Sequence, residues 1–243
     1  METKLEGRNP VLEALKSGRE IDKIWVRKGE KTGSIQKILR MAREQRIPVV
    51  EVEKGKLDAA AETGAHQGVM AFCAAHTYQS VEEILRRAEE AGEAPFLVLC
   101  DRLSDPHNLG SILRTANCAG VHGVIIPKQN SVTLNATVAK TSAGAIEFTP
   151  VAKVTNLGRT IDDLKKKGIW VIGADGEGEN TMYDADLSGP IALVIGSEGE
   201  GLGRLIKEKC DFLVRIPMKG EITSLNASVA AALLMYETAR TRQ

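Results

Sequence analysis

Hydrophobic and polar positions change rhythm twice along this chain. In the first third, Val11, Leu12, Ala14 and Leu15 after Pro10 predict a short helix, and Ile21 to Val26 alternates like a half-buried strand. Ile35, Ile38, Leu39 and Ala42 then recur at helical spacing, Pro48 to Val52 reads as another strand, and a last short strand ends near Cys73. From His76 to Ala94 the chain turns to Glu, Arg and Ala around Val81, Ile84 and Leu85, closed by Gly92 and Pro95. That composition predicts a linker holding one short helix.

After Pro95 the pattern alternates between short apolar runs and helical stripes. The runs are Phe96 to Cys100, Val121 to Ile126, Ile169 to Ala174, Ile191 to Ile195 and Phe212 to Ile216, of the kind a parallel sheet buries on both faces. Helical patterns separate them at Leu109 to Ala119, Leu134 to Ala143, Leu157 to Lys167 and Asn226 to Arg240. The expected architecture is α/β throughout: a small N-terminal α/β domain over 1–76, a linker over 77–94, and a doubly wound, Rossmann-like parallel sheet over 95–243. Ligands in such sheets bind beyond the carboxyl ends of the strands, so the loops after Cys100, Ile195 and Ile216 become the candidate site.

Composition narrows the function by exclusion. Thirty-two Lys and Arg balance 32 Asp and Glu among 243 residues, so any nucleic-acid surface must be a local patch. Arg8, Lys23, Arg27, Lys28, Lys31, Lys37 and Arg40 are the candidates for one, with an ordinary solvated helix face as the plainer alternative for Lys37, Arg40 and Arg43. Cys73, Cys100, Cys118 and Cys210 lack paired spacing and read as free thiols of a reducing compartment. His66, His76, His107 and His122 show no ligand spacing, so no metal is expected. The charged N-terminus lacks the apolar core of a signal peptide, and no apolar run nears the ~20 residues that span a bilayer. A cytoplasmic protein without a membrane partner is the expectation.

Three stretches carry the candidate chemistry. In DRLSDPHNLGSILRTANCAG, Asp105 and Pro106 read as a helix start, and the Leu109, Ile112, Leu113, Ala116 stripe leaves Arg114 facing away from the core. Asn108 and Arg114 then sit either on a plain capped helix or at a site rim, where Arg114 could grip a phosphate in bidentate fashion. GSEGEGLGR, from Gly196 to Arg204, fails the dinucleotide spacing because Arg204 stands at the third glycine position, and it lacks the G-K-[ST] of a phosphate loop. Glu198 and Glu200 would repel a pyrophosphate, so the loop is either a solvated turn or a site for a cofactor without phosphates. In IPMKGEITSLNASVAAALLMYE, Ser224 and Asn226 are capping residue types. The helix beyond them, with Val229, Ala230, Leu233, Leu234 and Met235, is apolar enough to require a core or a second subunit.

Taken in order, N-L-G-S-I-x-R at 108–114, I-G-S-E-G-x-G at 195–201 and I-P-M-x-G-x-x-x-S-L-N-x-S-V-A at 216–230 resemble the three motifs of the SpoU branch of the SPOUT RNA methyltransferases. Gly7, Pro10 to Leu15 and the His66-Gln67-Gly68-Val69 turn resemble that family's N-terminal substrate-binding domain, and LNATVAKTSAGA at 134–145 its sheet-flanking helix. The resemblance implies a deep trefoil knot in the C-terminal domain, S-adenosylmethionine as cofactor, and a homodimer joined through the knotted domains whose active site borrows groups from both subunits. On the family pattern, Gly196, Ile216 and Leu225 hold the cofactor through backbone groups, with Met218 and Thr141 nearby. Asn108, Arg114, Glu198, Ser224 and Asn226 match the catalytic positions. The Glu221-Ile222-Thr223 segment departs from the small or apolar residues common there.

The implied reaction is methyl transfer to the ribose 2′-hydroxyl of a nucleotide, a guanosine, in 23S ribosomal RNA. A tRNA 2′-O-methyltransferase and a catalytically silent RNA-binding or ribosome-assembly protein of the same fold are the alternatives; a dinucleotide oxidoreductase fails on glycine spacing. Arginine guanidinium stays protonated in proteins. Arg114 is therefore expected to grip an RNA phosphate that accepts the hydroxyl proton, with Glu198 orienting Arg114 or Asn226, and Ser224 with Asn226 holding the loop and the ribose.

Overall fold

The computed structural model describes residues 3–17, 19–30, 32–73 and 76–242. They form two compact units, 1–77 with 133–136, and 78–132 with 137–243.

The first unit runs β1 (Thr3–Glu6), α1 (Arg8–Lys16), β2 (Ile21–Arg27), α2 (Gly33–Glu44), β3 (Val49–Val52), α3 (Lys54–Ala60) and β4 (Val69–Cys73). Among the described residues its sheet is ordered β1-β4-β2-β3, with β2 and β3 parallel and β4 antiparallel to both β1 and β2. The apolar stripes expected of α1 and α2 are the ones buried: Val11, Ala14 and Leu15 pack with Ile35, Ile38 and Ala42 against Ile24 and Val69. The other face of the sheet carries a smaller cluster of Val52, Leu57, Met70 and Phe72 beneath α3. Helix α3 and strand β1 were not apparent in the periodicity, because both are too short to show a period. His66 is fixed within the turn before β4: its Nε2 lies 2.9 Å from Asp58 and its Nδ1 accepts from Gly68 N at 3.0 Å.

The second unit begins earlier than Pro95. Helix α4 (Val81–Ala91) starts with a capping box between Ser80 and Glu83 and ends at Gly92 in the left-handed region, φ 67°. Residues 77–94 are expected as a linker with one short helix; the helix is present, and it packs as part of the second unit. Ile84 and Ala88 are fully buried, and Ile84 joins the core of Leu97, Leu99, Ile125 and Ile161. The Glu and Arg positions that suggested a linker are only the solvated face of an amphipathic helix. Gly123 makes this seat, since a Cβ there would stand 2.6 Å from Ile84 Cδ1.

The chain continues β5 (Phe96–Cys100), α5 (Pro106–Cys118), β6 (Gly123–Pro127), α6 (Ala136–Thr141), β7 (Val151–Val154), α7 (Leu157–Lys166), β8 (Trp170–Ala174), β9 (Asn180–Thr181), β10 (Ile191–Ile195), α8 (Arg204–Lys209), β11 (Phe212–Arg215) and α9 (Ala227–Thr241). Among the described residues the strands form one parallel sheet ordered β7-β6-β5-β10-β8-β11-β9. The late strand β10 lies between β5 and β8, so the two sequence-distant runs FLVLC and IALVI pair along their full length. Both are buried on both faces, as their unbroken apolar pattern requires. The stretch expected as one helix over 134–143 forms only the short α6, and β7, β9 and α8 were not anticipated.

Candidate active site

The site is built where α5, the loop after β10 and the start of α9 meet. Asp105 caps α5 by accepting from His107 N at 2.9 Å, with Pro106 in the first turn. Leu109, Ile112, Leu113 and Ala116 turn inward together and leave Arg114 exposed, as their spacing requires. Asn108, one residue before that stripe, is 5% exposed and faces the loop after β10.

That loop folds back on itself. Ser197 N donates to Gly201 O at 3.1 Å and Gly201 N to Ser197 O at 2.9 Å, closing Glu198, Gly199 and Glu200 into a tip. Gly196 is required by the closure. A Cβ there would lie 2.2 Å from Gly201 C, too close for any side chain.

Glu198 is the hub. Its Oε1 accepts from Asn108 Nδ2 at 2.9 Å, from Asn226 Nδ2, and from Ala227 N at 3.3 Å. Asn226 Nδ2 also donates to Asn108 Oδ1 at 2.9 Å, while Asn226 Oδ1 caps α9 by accepting from Ser228 N at 3.0 Å and Val229 N at 3.3 Å. The carboxylate of Glu198 thus meets the positive end of α9 and two amide donors.

Beside this hub, at the carboxyl ends of β8, β10 and β11, lies a cavity of about 550 Å³. Gly196, Ile216, Met218 and Leu225 line it, together with Glu198 and Ser224. Six of the ten residues expected at the site therefore share one cavity wall, and Asn108 and Asn226 stand directly behind Glu198.

Two expected residues lie elsewhere. Thr141 does not line the cavity: its Oγ1 donates to Thr137 O at 2.8 Å, and it occupies the space over Gly110, where a Cβ would come within 1.8 Å of that oxygen. It seats α6 on α5. The Arg114 side chain neither lines the cavity nor makes a hydrogen bond or ion pair among the described residues, so of the two partners expected for Glu198 it is Asn226, and not Arg114, that Glu198 meets within one chain. Ser224 lines the cavity but does not share Asn226's capping role.

The periodicity gave no hint of Asp175 and Thr181, which complete the cavity from the β8 side. Asp175 accepts from Glu177 N at 2.9 Å and pairs with Lys207 at 2.9 Å, and the carboxylates of Glu177 and Asp175 hold the Lys207 ammonium above its usual range. An isolated aspartate between a strand and a turn carries no motif, so only its position in the sheet could reveal it. Under the site, burial pushes the Cys100 and Cys210 thiols up to about 12, which makes them inert packing residues.

Of the basic residues considered for RNA, Arg8 is engaged inside the first unit, donating to Gln67 O, Ser34 Oγ and Glu30 Oε1 at 3.0, 3.2 and 3.4 Å. Lys23 stacks over Phe72 at 4.8 Å, Lys28 pairs with Glu53 at 3.4 Å and Arg40 with Glu44 at 3.9 Å. Arg27 and Lys37 are exposed, and Lys31 lies outside the described residues. No group of three or more His, Cys, Asp or Glu among the described residues could hold a metal ion. No helix among them is long and apolar enough to cross a membrane.

A doubly wound sheet with its late strand in the centre, glycine-closed loop and Asn-Glu-Asn hub define a class, and sequence comparison agrees. The chain belongs to the SpoU methylase family of RNA methyltransferases: the profile of the SpoU rRNA methylase family matches residues 95–236, and that of the RNA 2′-O ribose methyltransferase substrate-binding domain matches 4–79. It is 51% identical over 236 residues to a Bacillus subtilis protein named for the TrmH family of tRNA/rRNA methyltransferases, covering 97% of this chain and 94% of that one. Among solved structures it is similar to the SpoU methyltransferase AviRb of Streptomyces viridochromogenes, crystallised with S-adenosylmethionine, at 27% identity and a TM-score of 0.63, covering 99% of this chain and 90% of AviRb. A tRNA-modifying TrmH/SpoU enzyme of A. aeolicus is similar at 28% identity and a TM-score of 0.57, covering 66% of this chain and 83% of that one. S-adenosylmethionine is the cofactor of this family, as the three motifs implied.

Proposed function

We propose that this protein methylates a ribose 2′-hydroxyl, that of a guanosine, in 23S ribosomal RNA in the cytoplasm, acting as a homodimer. The observation that carries this reading is the Asn108–Glu198–Asn226 hub set against the cavity at the strand ends. The cavity suits S-adenosylmethionine. Its one lining guanidinium, Arg215, is engaged by the carbonyl of Gly178 at 2.6 Å, while Asp175 and Glu198 bring carboxylates. Lys207 balances Asp175, so Glu198 is the lining carboxylate that favours a cationic sulfonium. Gly196, Ile216 and Leu225 would hold the group with Met218 beside it, and bound there it supplies an electrophilic methyl.

The remaining work belongs to side chains. Glu198 fixes Asn108 and Asn226, and through Asn226 the first turn of α9, so that Ser224 and Asn226 stand ready to hold the ribose. Placement of this kind can supply ~7–11 kcal/mol of a barrier. Arg114 grips an RNA phosphate, which takes the hydroxyl proton, and it does so at the partner's cavity. Two features support the dimer: Arg114 is exposed without a partner residue, and α9 shows Val229, Leu233 and Tyr236 on one face, 46, 39 and 54% exposed, beside a groove of about 720 Å³ shared with Ser111 and Thr115 of α5. The central insertion of β10 between β5 and β8 supports the proposed trefoil knot.

The match of residues 4–79 to a substrate-binding profile, and of residues 95–236 to an rRNA methylase profile, favours ribosomal RNA. A tRNA target is the second reading, favoured by the likeness to the A. aeolicus enzyme. Mapping 2′-O-methyl groups on ribosomal RNA and tRNA from cells with and without the protein decides between them: loss of one 23S guanosine mark supports the proposal, loss of a tRNA mark replaces it. A silent RNA-binding protein would show no thermal shift with S-adenosylhomocysteine.

A further inference from the structure

The loop that carries Glu198 carries a second acid, Glu200, which takes no part in the hub. It pairs instead with Arg102, in the turn after β5. Arg102 is one of the few non-glycine residues with positive φ, at 55°, a conformation that a side chain rarely adopts and that persists only where the surroundings enforce it. Its side chain is 35% exposed and is held on three sides. One arm of the guanidinium meets Glu200, the other donates to Gly201 O at 3.4 Å, and Nε lies 3.6 Å from Asp101 Oδ2. The same Asp101 oxygen, 5% exposed with its residue, accepts from Gly203 N at 2.7 Å. Gly203 fits closely as well, since a Cβ there would stand 3.2 Å from Asp101 Oδ2 and 3.4 Å from Arg102 Nη2.

Asp101 and Arg102 therefore hold the loop at its exit and at its tip, while the Ser197–Gly201 pair holds its base. Glu198 and Glu200 flank Gly199, which has no side chain to fix the direction of either. Whatever pins Glu200 restricts where Glu198 can point. We propose that Arg102, through Glu200 and Gly201, is a positioning residue that holds the 197–203 loop in the one shape that presents Glu198 to Asn108 and Asn226. Glu200 is 76% exposed at its side chain, and exposed ion pairs add little to the stability of a fold. The latch thus sets the population of a loop geometry and contributes little to the stability of the whole unit.

The activity arm of the test rests on the proposed methyl transfer; the exchange arm does not. Arg102→Gly is the decisive variant, because glycine keeps the left-handed backbone without strain while the guanidinium is lost. Arg102→Lys and Glu200→Gln are milder companions that retain the fold if the first does not. Hydrogen exchange is read in the cofactor-free full-length protein, then S-adenosylhomocysteine affinity, then kcat and KM on ribosomal RNA transcript. In Arg102→Gly, amides 197–202 exchange at least tenfold faster while those of 193–195 in β10 and the melting temperature hold. The kcat falls on the order of 100-fold, as a misplaced group near the chemistry does, with KM for RNA within a few-fold. Arg102→Lys restores part of the kcat and Glu200→Gln falls between. Unchanged loop exchange overturns the latch. A raised KM with unchanged kcat also overturns it, and makes Arg102 a contact to RNA phosphate. A wild-type protein that methylates neither ribosomal RNA nor tRNA defeats the proposed function alone, and the exchange result still decides the role of Arg102.

Discussion

Asn226 Nδ2 donates to Asn108 Oδ1 at 2.9 Å across 118 residues of chain, and both amides donate to the same oxygen of Glu198. Three side chains joined at one acceptor oxygen act as a unit. Single changes to alanine at Asn108, Asn226 or Glu198 are expected to lower kcat each by ~10²-fold, with the double changes adding little to the singles. Glu198→Gln keeps an acceptor oxygen and should lose less than Glu198→Ala. A loss of S-adenosylhomocysteine affinity in Glu198→Ala, with kcat intact, would move that residue from positioning to cofactor binding.

Gly196→Ala inserts a methyl 2.2 Å from the Gly201 backbone. The loop must open to admit it, at a cost of ~1–3 kcal/mol typical of overpacking. The expected outcome is loss of the thermal shift that S-adenosylhomocysteine gives the wild type, measured by calorimetry of the two proteins. Gly199→Ala, with nothing within 4 Å of the added carbon, serves as the tolerant control.

Acid stability should report His122. Burial holds its imidazole below the ordinary range, opposed by Glu93, while Nδ1 accepts from Phe96 N at 3.1 Å. The unfolded chain, titrating near 6.5, then binds a proton that the folded state resists. Stability from this residue is complete above about 6.5 and is lost as pH falls toward the folded value. Denaturant midpoints measured from pH 7.5 to 5 should fall with acid, and His122→Asn, which keeps an acceptor without the titration, should flatten that slope.

Thiol labelling should be selective. Cys73 and Cys100 are buried and Cys210 is half-buried with its thiol pushed up to about 12, whereas Cys118 is exposed at the end of α5. Iodoacetamide on the native protein is expected to modify Cys118 first, with Cys100 and Cys210 reacting only after denaturation. Peptide mass spectrometry gives the order.

On α9, Leu233→Glu places a charge on the exposed apolar face beside the α5 groove. Light scattering should show a dimer for wild type and a monomer for the variant, with activity lost and the circular dichroism of the fold kept. A monomeric wild type would end the idea that Arg114 serves the partner's cavity.

What the sequence alone determined is whatever depends on near neighbours. The α5 stripe, the Asp105 and Asn226 caps, the buried strands FLVLC and IALVI, and the glycine-rich acidic loop all follow from spacing within a dozen residues. Three ordered motifs were enough to indicate the family. The tertiary structure decided what joins across long separations. It placed β10 between β5 and β8, drew Asn108, Glu198 and Asn226 onto one oxygen, brought Asp175 to the cavity and set Thr141 over Gly110 instead. It also packed the short helix of 77–94 into the core, because a solvated face and a linker share one composition until something packs beneath. Arg102 shows the limit most clearly. Its left-handed turn and its pairing with Glu200, 98 residues on, leave no trace in periodicity, since a pattern reports which face is buried and not which partner waits there.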